Sequence, residues 1–347
     1  MVISRTPYRI SFFGGGTDYP AWFHQHGSAI LSTSINHCCY LHCRFLPPFF
    51  PHQSRVVWSK LEEVTHHANI QHPVVKAVLN DLQINDGIEI HHQGDLPARS
   101  GIGSSSAFTV GLLNAMYSLR NITCSKQELA SKSFHIEHDI LHENVGMQDQ
   151  IATAYGGFNK ILIHADGSFD VTPVAIPQSR MQELHDHLLL FFTGISRTAS
   201  DIAADKIRSI PSKIRELHSI RAMVDTAENI LCSSANISEF GELLHASWLL
   251  KKQLSPRIAP AYIDELYAKA RQAGALGGKL LGAGGGGFML LFVKPENKIA
   301  VCHALEELLR VPFEFETQGS QIIFNDTSCS HINMTRRNFL HLRANNL

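Results

Sequence analysis

Apolar positions along this chain recur in two periods, and the switches between them mark its elements. Residues 2–13 carry the β-branched and aromatic side chains of a strand, and further strand-like segments continue to about residue 58. In "NHCCYLHC" the alternation turns Ile35, His37, Cys39, Leu41 and Cys43 to one strand face. Helical spacing follows at 72–82, and alternation returns in "GIEIHHQ" at 87–93. Residues 105–119 are apolar nearly all round, which predicts a helix buried on every side. "SKQE" at 125–128 is a capping box opening a helix that runs to about residue 142.

More β character covers 157–171, and "HLLLFFTG" at 187–194 reads as a strand. Long helical patterns fill 198–273, with Gly274 as their stop, and an apolar strand at 288–293 follows a glycine run directly. Strand-like and helix-like runs alternate without a short repeat, which predicts an α/β or α+β chain. "TPVAIPQS" sets two prolines between apolar residues, so a domain boundary is expected there, dividing the chain into 1–175 and 176–347. The closing "TRRNFLHLRANNL" reads as a polar helix or tail with no assigned role.

Composition narrows the classes. With 347 residues and 44% hydrophobic content the chain can bury a sizeable core, and a net charge of -1 gives no global pull toward nucleic acid or anionic membrane. No apolar run is long enough to span a bilayer and the first residues lack a signal-peptide layout, so a cytoplasmic protein is expected. Seven scattered cysteines fit a reducing compartment better than a disulfide framework. The cysteines and histidines of 36–43 have no second ligand pair at finger-like spacing, which favours a plain half-buried strand over zinc.

Chemistry enters at residues 94–108, "GDLPARSGIGSSSAF". A strand ends, Pro97 stiffens the approach, Gly101 and Gly103 permit unusual backbone angles around Ile102, and a buried helix begins at Ser104, Ser105 and Ser106. Free backbone N–H groups and the positive end of the helix then converge on one point, suited to a phosphate. A plain N-cap needs one hydroxyl rather than three. The nucleophile elbow G-x-S-x-G and the Walker spacing are both missing. A second run, "GAGGGG" at 282–287, fits G-x-G-x-x-G, but it precedes a strand where a dinucleotide fingerprint precedes a helix. It is expected to serve a close approach, to a shared ligand or to another backbone. A third, "PYRISFFGGGTDYP", joins Arg9 on a strand to a turn with Asp18 just beyond, which fits a small-ligand site and an ordinary turn equally.

Two carboxylates stand out. On the capped helix, taking about 100° per residue from Leu129, Glu137 falls near 80°, inside the apolar arc. An inward carboxylate demands a partner: a metal such as Mg²⁺, a buried base, or a structural arginine. Glu143 is the rival metal ligand but lies past the expected helix end. In "GMQDQ" Asp149 stands between glutamines, poised to orient or accept a hydroxyl proton or simply to sit at a helix start.

These three ordered glycine-rich stretches, with an acid pair between the second and third, resemble the GHMP small-molecule kinases over most of the chain, residues 5–293. The resemblance implies an α+β fold of two domains, the first like ribosomal protein S5 domain 2 and the second ferredoxin-like, with the active site between them. It further implies ATP and Mg²⁺: phosphates held by Gly101, Ile102, Gly103, Ser104, Ser105 and Ser106, with Pro97, Arg99, Ser100, Gly284 and Gly285 around them, and metal held by Ser105 and Glu137. Asp149 matches the family's catalytic aspartate and Arg9 the arginine that steadies the transferred phosphoryl or the acceptor hydroxyl. Gly15, Gly16, Thr17 and Asp18 match the acceptor-binding turn.

Departures from the family bear on substrate. Galactokinases carry Glu-His where Gly15 and Gly16 stand, and Arg99-Ser100 replaces the usual residue-glycine pair. Together with "TGISRTASDI", these features look most like the bacterial D-glycero-D-manno-heptose 7-phosphate kinases, which make the 1,7-bisphosphate for nucleotide-heptose synthesis in capsule or lipopolysaccharide. Arg197 is then the expected clamp for the 7-phosphate, with Lys206, Arg208 or a basic residue elsewhere as substitutes. The partners implied are ATP and a small sugar phosphate, with neither nucleic acid nor membrane, and a homo-oligomer left open. The alternatives are a kinase of an unphosphorylated sugar such as fucose, and a non-catalytic nucleotide or sugar-phosphate binder.

Overall fold

The computed structural model describes residues 1–195 and 199–326, so Arg197 lies outside the described residues. Thirteen strands are described: β1 (Val2–Phe13), β2 (Ser28–Phe45), β3 (Ser54–Val57), β4 (Leu61–Val64), β5 (Ile88–Gly94), β6 (Phe158–Ile163), β7 (Phe169–Pro173), β8 (Leu188–Phe192), β9 (Ala275–Leu280), β10 (Phe288–Val293), β11 (Leu309–Arg310), β12 (Phe315–Glu316) and β13 (Gln321–Asn325). Eleven α-helices accompany them: α1 (Pro20–His26), α2 (Pro73–Asp81), α3 (Ser104–Leu119), α4 (Lys126–Phe134), α5 (Gln148–Tyr155), α6 (Gln178–Asp186), α7 (Ala199–Ser209), α8 (Ile214–Cys232), α9 (Ser238–Gln253), α10 (Ala261–Gln272) and α11 (Lys298–Ala304).

The strands form two sheets. The first runs β13-β1-β2-β5-β3-β4, with β6 and β12 also on β2 and β7 on β6; the second runs β11-β8-β10-β9. At 18 residues β2 is long enough to pair β6 along its first half and β5 along its second. The last described strands, β12 and β13, return to the first sheet, on β2 and β1. No helix among the described residues is long and apolar enough to cross a membrane.

Several expected elements have visible local causes. Ser125 and Glu128 close both bonds of the capping box that starts α4, and α3 is buried through most of its length. The helix from 125 does not continue as one α-helix to residue 142: beyond Phe134 it widens into a π-helical segment, His135–Ile140. Glu137 lies in that segment, a feature frequent at functional sites. The glycine run at 282–287 does not follow a helix directly; β9 intervenes, so the run joins two antiparallel strands, β9 and β10. The "NHCCYLHC" stretch is part of β2, and no group of three or more metal-capable side chains occurs among the described residues.

One irregularity positions the site. The β1–β2 register shifts between Pro7 and Arg9. Such bulges re-aim a side chain and free backbone groups from the ladder, and here the Arg9 N–H donates to Ile102 O at 3.0 Å. The first strand is thereby tied to the glycine loop before α3. Between the sheets the core is aromatic: Phe12 and Phe13 pack on Phe240 of α9 at 5.5 and 5.2 Å, and Phe240 packs on Phe292 of β10 at 6.1 Å.

Candidate active site

The glycine loop is built for close approach. Gly101 and Gly103 take φ of 86° and 73°, and Gly103 is the N-cap residue of α3. Ser104 therefore begins the helix instead of capping it, and its Oγ accepts from the Arg99 N–H at 3.1 Å. Arg99 itself has a φ of 59°, which holds the turn open before the helix. The Ser100 hydroxyl, fully buried, donates to Pro97 O at 2.5 Å, and Ile102 is buried beneath the loop.

The second glycine run is pressed against the first. Phe288 N donates to Ser100 O at 3.1 Å, and a Cβ on Gly282 would lie 2.4 Å from Gly101 Cα. Gly284 and Gly285 lie against the backbone of Ile258, to whose carbonyl the Gly285 N–H donates. The run thus makes the close approach to another backbone that was one of its two expected uses. At Gly287, φ 101°, a Cβ would stand 2.1 Å from Ser100 O. Gly287→Ala is therefore expected to destabilise the fold by on the order of 3 kcal/mol and to weaken ADP binding. Denaturant titration and calorimetry measure both, and wild-type stability would mean that the loops can part freely.

Arg9 and Asp149 meet beside this loop. Arg9, 1% exposed, donates from Nε to Asp149 Oδ1 at 2.8 Å and from Nη2 to Oδ2 at 2.7 Å, while Nη1 donates to Gly101 O at 2.6 Å. One side chain thus orients the acid at the start of α5 and braces the glycine loop. Such a two-pronged, charge-assisted pair fixes the carboxylate plane as well as its charge.

Glu137 is fully buried, and no ion pair reaches it among the described residues. Thr109 Oγ1 donates to its Oε1 at 2.6 Å, Ser106 Oγ to Oε2 at 3.0 Å, and Gln150 Nε2 also to Oε2. Burial outweighs these donors, and the carboxyl is pushed up to about 7, with Glu143 adding a smaller repulsion. The serine joined to Glu137 is Ser106, not Ser105: successive helix residues point about 100° apart, and Ser105 faces outward. The sequence pattern found the buried acid but not these neutral partners, which come from two separate helices, α3 and α5.

Around Asp18 the turn of residues 14–18 closes on itself. Asp18, 3% exposed, accepts from the Gly16 N–H at 2.8 Å, and its carboxyl is pushed up by burial. Thr17 Oγ1 bonds Gly14 O and Ser28 Oγ, so its hydroxyl is engaged inward. Gly15 lies beside Ser11 and Gln148, and Gly16 faces Leu217 and Leu254. Three buried lysines join this region. Lys206 feels Asp18 and Asp149 as favourable charges; Lys279 Nζ donates to Phe12 O at 2.7 Å, across the two sheets; Lys251 Nζ donates to Leu280 O and Gly282 O, both at 2.7 Å. Sequence reading gave Lys251 and Lys279 no role, because a lysine at a helix end or in a strand carries no mark of burial. Lys279 is pushed down to about 7 by burial.

The glycine loop, the arginine-held Asp149 and the buried Glu137 thus lie together, and the similarities of the whole chain make it a phosphotransferase acting on a sugar hydroxyl. The chain belongs to the GHMP kinases, ATP-using enzymes: the profile "GHMP kinases N terminal domain" matches residues 69–157 and "GHMP kinases C terminal" matches 228–311. It is 28% identical to D-glycero-alpha-D-manno-heptose 7-phosphate kinase of Campylobacter jejuni, over 91% of this chain and 97% of that one. It is 22% identical to the bifunctional fucokinase/GDP-fucose pyrophosphorylase of Arabidopsis thaliana, over 93% of this chain and 32% of that one. Among solved structures, a D-glycero-D-manno-heptose 1-phosphate kinase from Bacteriodes thetaiotaomicron superposes with a TM-score of 0.77 at 23% identity, over 94% of this chain and 100% of the other.

Proposed function

We propose that this kinase phosphorylates the anomeric hydroxyl of D-glycero-D-manno-heptose 7-phosphate, giving the 1,7-bisphosphate for nucleotide-heptose synthesis in the cytoplasm. The observation that carries the reading is the full-length similarity to the Campylobacter heptose 7-phosphate kinase. The acceptor turn agrees with it, since Gly15 and Gly16 offer no side-chain hydrogen bonds of the kind a free hexose would use.

In this reading the loop N–H groups of residues 101–106 and the start of α3 bind the ATP phosphates. Asp149, held in one orientation by Arg9, takes up the proton of the sugar hydroxyl, and Asp18 accepts hydrogen bonds from the sugar. Glu137 fits a divalent cation, being a buried carboxylate without a cationic partner among the described residues, and Ser106 or Ser105 would stand with it. When bound, Mg²⁺ would supply neutralisation of phosphate charge. Catalysis is then mainly positioning and electrostatics.

The similarity to a fucokinase favours one rival, a sugar-1-kinase acting on an unphosphorylated sugar. ADP release measured with heptose 7-phosphate, heptose 1-phosphate, free heptose and L-fucose separates the readings. We expect kcat/KM to be highest for heptose 7-phosphate, at least about 100-fold above the free sugars, because a bound phosphate contributes charge-assisted contacts that they lack. Equal or better turnover of fucose would overturn the assignment.

A further inference from the structure

We propose that Lys206, and not Arg9, is the side chain that contacts the phosphoryl group during its transfer. The inference rests on the kinase reading above and concerns which cation meets the reacting group.

Lys206 lies on α7 and is 6% exposed. Among the described residues no carboxylate lies within ion-pairing distance of its Nζ and no hydrogen bond is made to it; the ammonium rests 5.3 Å from the centre of the Tyr19 ring. Burial pushes this group below the ordinary lysine range; Asp18 and Asp149 favour its ionised form, and Arg9 opposes it. Tyr19 directly follows Asp18 of the proposed acceptor turn, and Asp149 is the proposed catalytic carboxylate, so the ammonium lies near both groups. A buried cation left without a partner incurs a large desolvation cost, and a ligand anion relieves it.

The neighbouring cations each have protein partners. Each nitrogen of the Arg9 guanidinium donates within the protein, two to Asp149 and one to Gly101 O, which takes up three of its five N–H groups and fixes its plane. Lys251 and Lys279 donate to backbone carbonyls. Among the described residues, Lys206 alone in this group holds all three N–H donors free of protein acceptors. A phosphate at the far end of the sugar would lie several bonds from the hydroxyl that Asp149 serves, whereas the transferred phosphoryl passes directly beside that acid. In the step, the acceptor oxygen bonds the γ-phosphorus of ATP, the bond from phosphorus to the bridging oxygen breaks with its electrons on ADP, and the hydroxyl proton passes to Asp149. Lys206 meets the charge carried on the non-bridging oxygens, and Arg9 acts as a positioning residue for Asp149.

Lys206→Met and Lys206→Arg test this. Methionine keeps the length and apolar stem of the side chain, and a thermal midpoint close to wild type checks the fold. On whichever sugar the wild type turns over best, Lys206→Met is expected to lose about 100-fold in kcat with both KM values nearly unchanged, and Lys206→Arg to recover part of it. A readout that needs no acceptor is the gain in ADP affinity on adding aluminium fluoride, a mimic of the phosphoryl in flight; Lys206→Met should abolish the gain and leave binding of ADP itself intact. A raised sugar KM with unchanged kcat would mean that Lys206 holds the acceptor, and would overturn the proposal, as would an aluminium fluoride gain that survives the substitution. Wild-type preference for a sugar other than heptose 7-phosphate would overturn the substrate reading alone.

Discussion

Replacing Asp149 by Asn should lower kcat on the order of 10³-fold, with little change in the KM for ATP. The asparagine amide cannot take the sugar hydroxyl's proton, and the effect reaches past that loss. Arg9 grips both carboxylate oxygens, and an NH₂ group in one of those places faces a guanidinium donor that it cannot bond. One of the three bonds of the buried guanidinium is then lost, which costs on the order of 1–3 kcal/mol, limited because the Asp149 side chain is 26% exposed and water can enter. The Arg9 bond to Gly101 O survives, so the cradle and nucleotide affinity should persist. ADP-release kinetics alongside calorimetric ADP binding measure both halves of this expectation. Near-normal turnover would remove Asp149 from the chemistry, and loss of ADP binding would mean that the pair supports the loop more than the reaction.

The elements themselves were legible wherever one period dominated. The all-apolar run became α3, the capping box closed as written, and "FMLLFV" became β10, because in each case local pattern and burial agree. Short helices escaped: α1 has Pro20 at its start and two buried aromatics, too few to set a period, and α6 begins within the proline-rich stretch read as a boundary. The π-helical segment around Glu137 was out of reach, since widening a helix by one residue per turn leaves no compositional trace.

The site was legible in its backbone-driven part. Glycines at positive φ and a buried acid on an apolar arc are marks that a single sequence carries. What it lacks is the identity of partners distant in the chain. That Ser106 and not Ser105 meets Glu137 follows from where α3 sits against α4 and α5. That Gly282 and Gly287 press on Gly101 and Ser100 follows from the packing of one sheet against the other. The lysines at 206, 251 and 279 are the sharpest case, since their significance lies in burial, which the residue type argues against.

Glu137→Gln should change the pH dependence of stability as well as activity. With its carboxyl pushed from the ordinary 4.5 up to about 7, the native state holds a proton that the unfolded chain has released across that window. Its contribution is full below about pH 4.5 and is lost as pH rises through 7, a fall on the order of 3 kcal/mol for a group this buried. Glutamine cannot ionise, so the variant should lack this slope and exceed the wild type in stability at pH 8 when no divalent cation is present. The packing permits the exchange: Gln150 Oε1 is buried without a partner among the described residues, and turning that amide over presents it to the new NH₂ group. The same substitution removes the negative charge proposed to hold Mg²⁺, so the thermal shift produced by Mg²⁺ with ADP should vanish and kcat should fall on the order of 10²-fold. Denaturant titrations from pH 4 to 8, with and without Mg²⁺, separate the two effects. Parallel stability curves for wild type and variant would show that the buried acid ionises freely, and the argument for a cation at Glu137 would go with it.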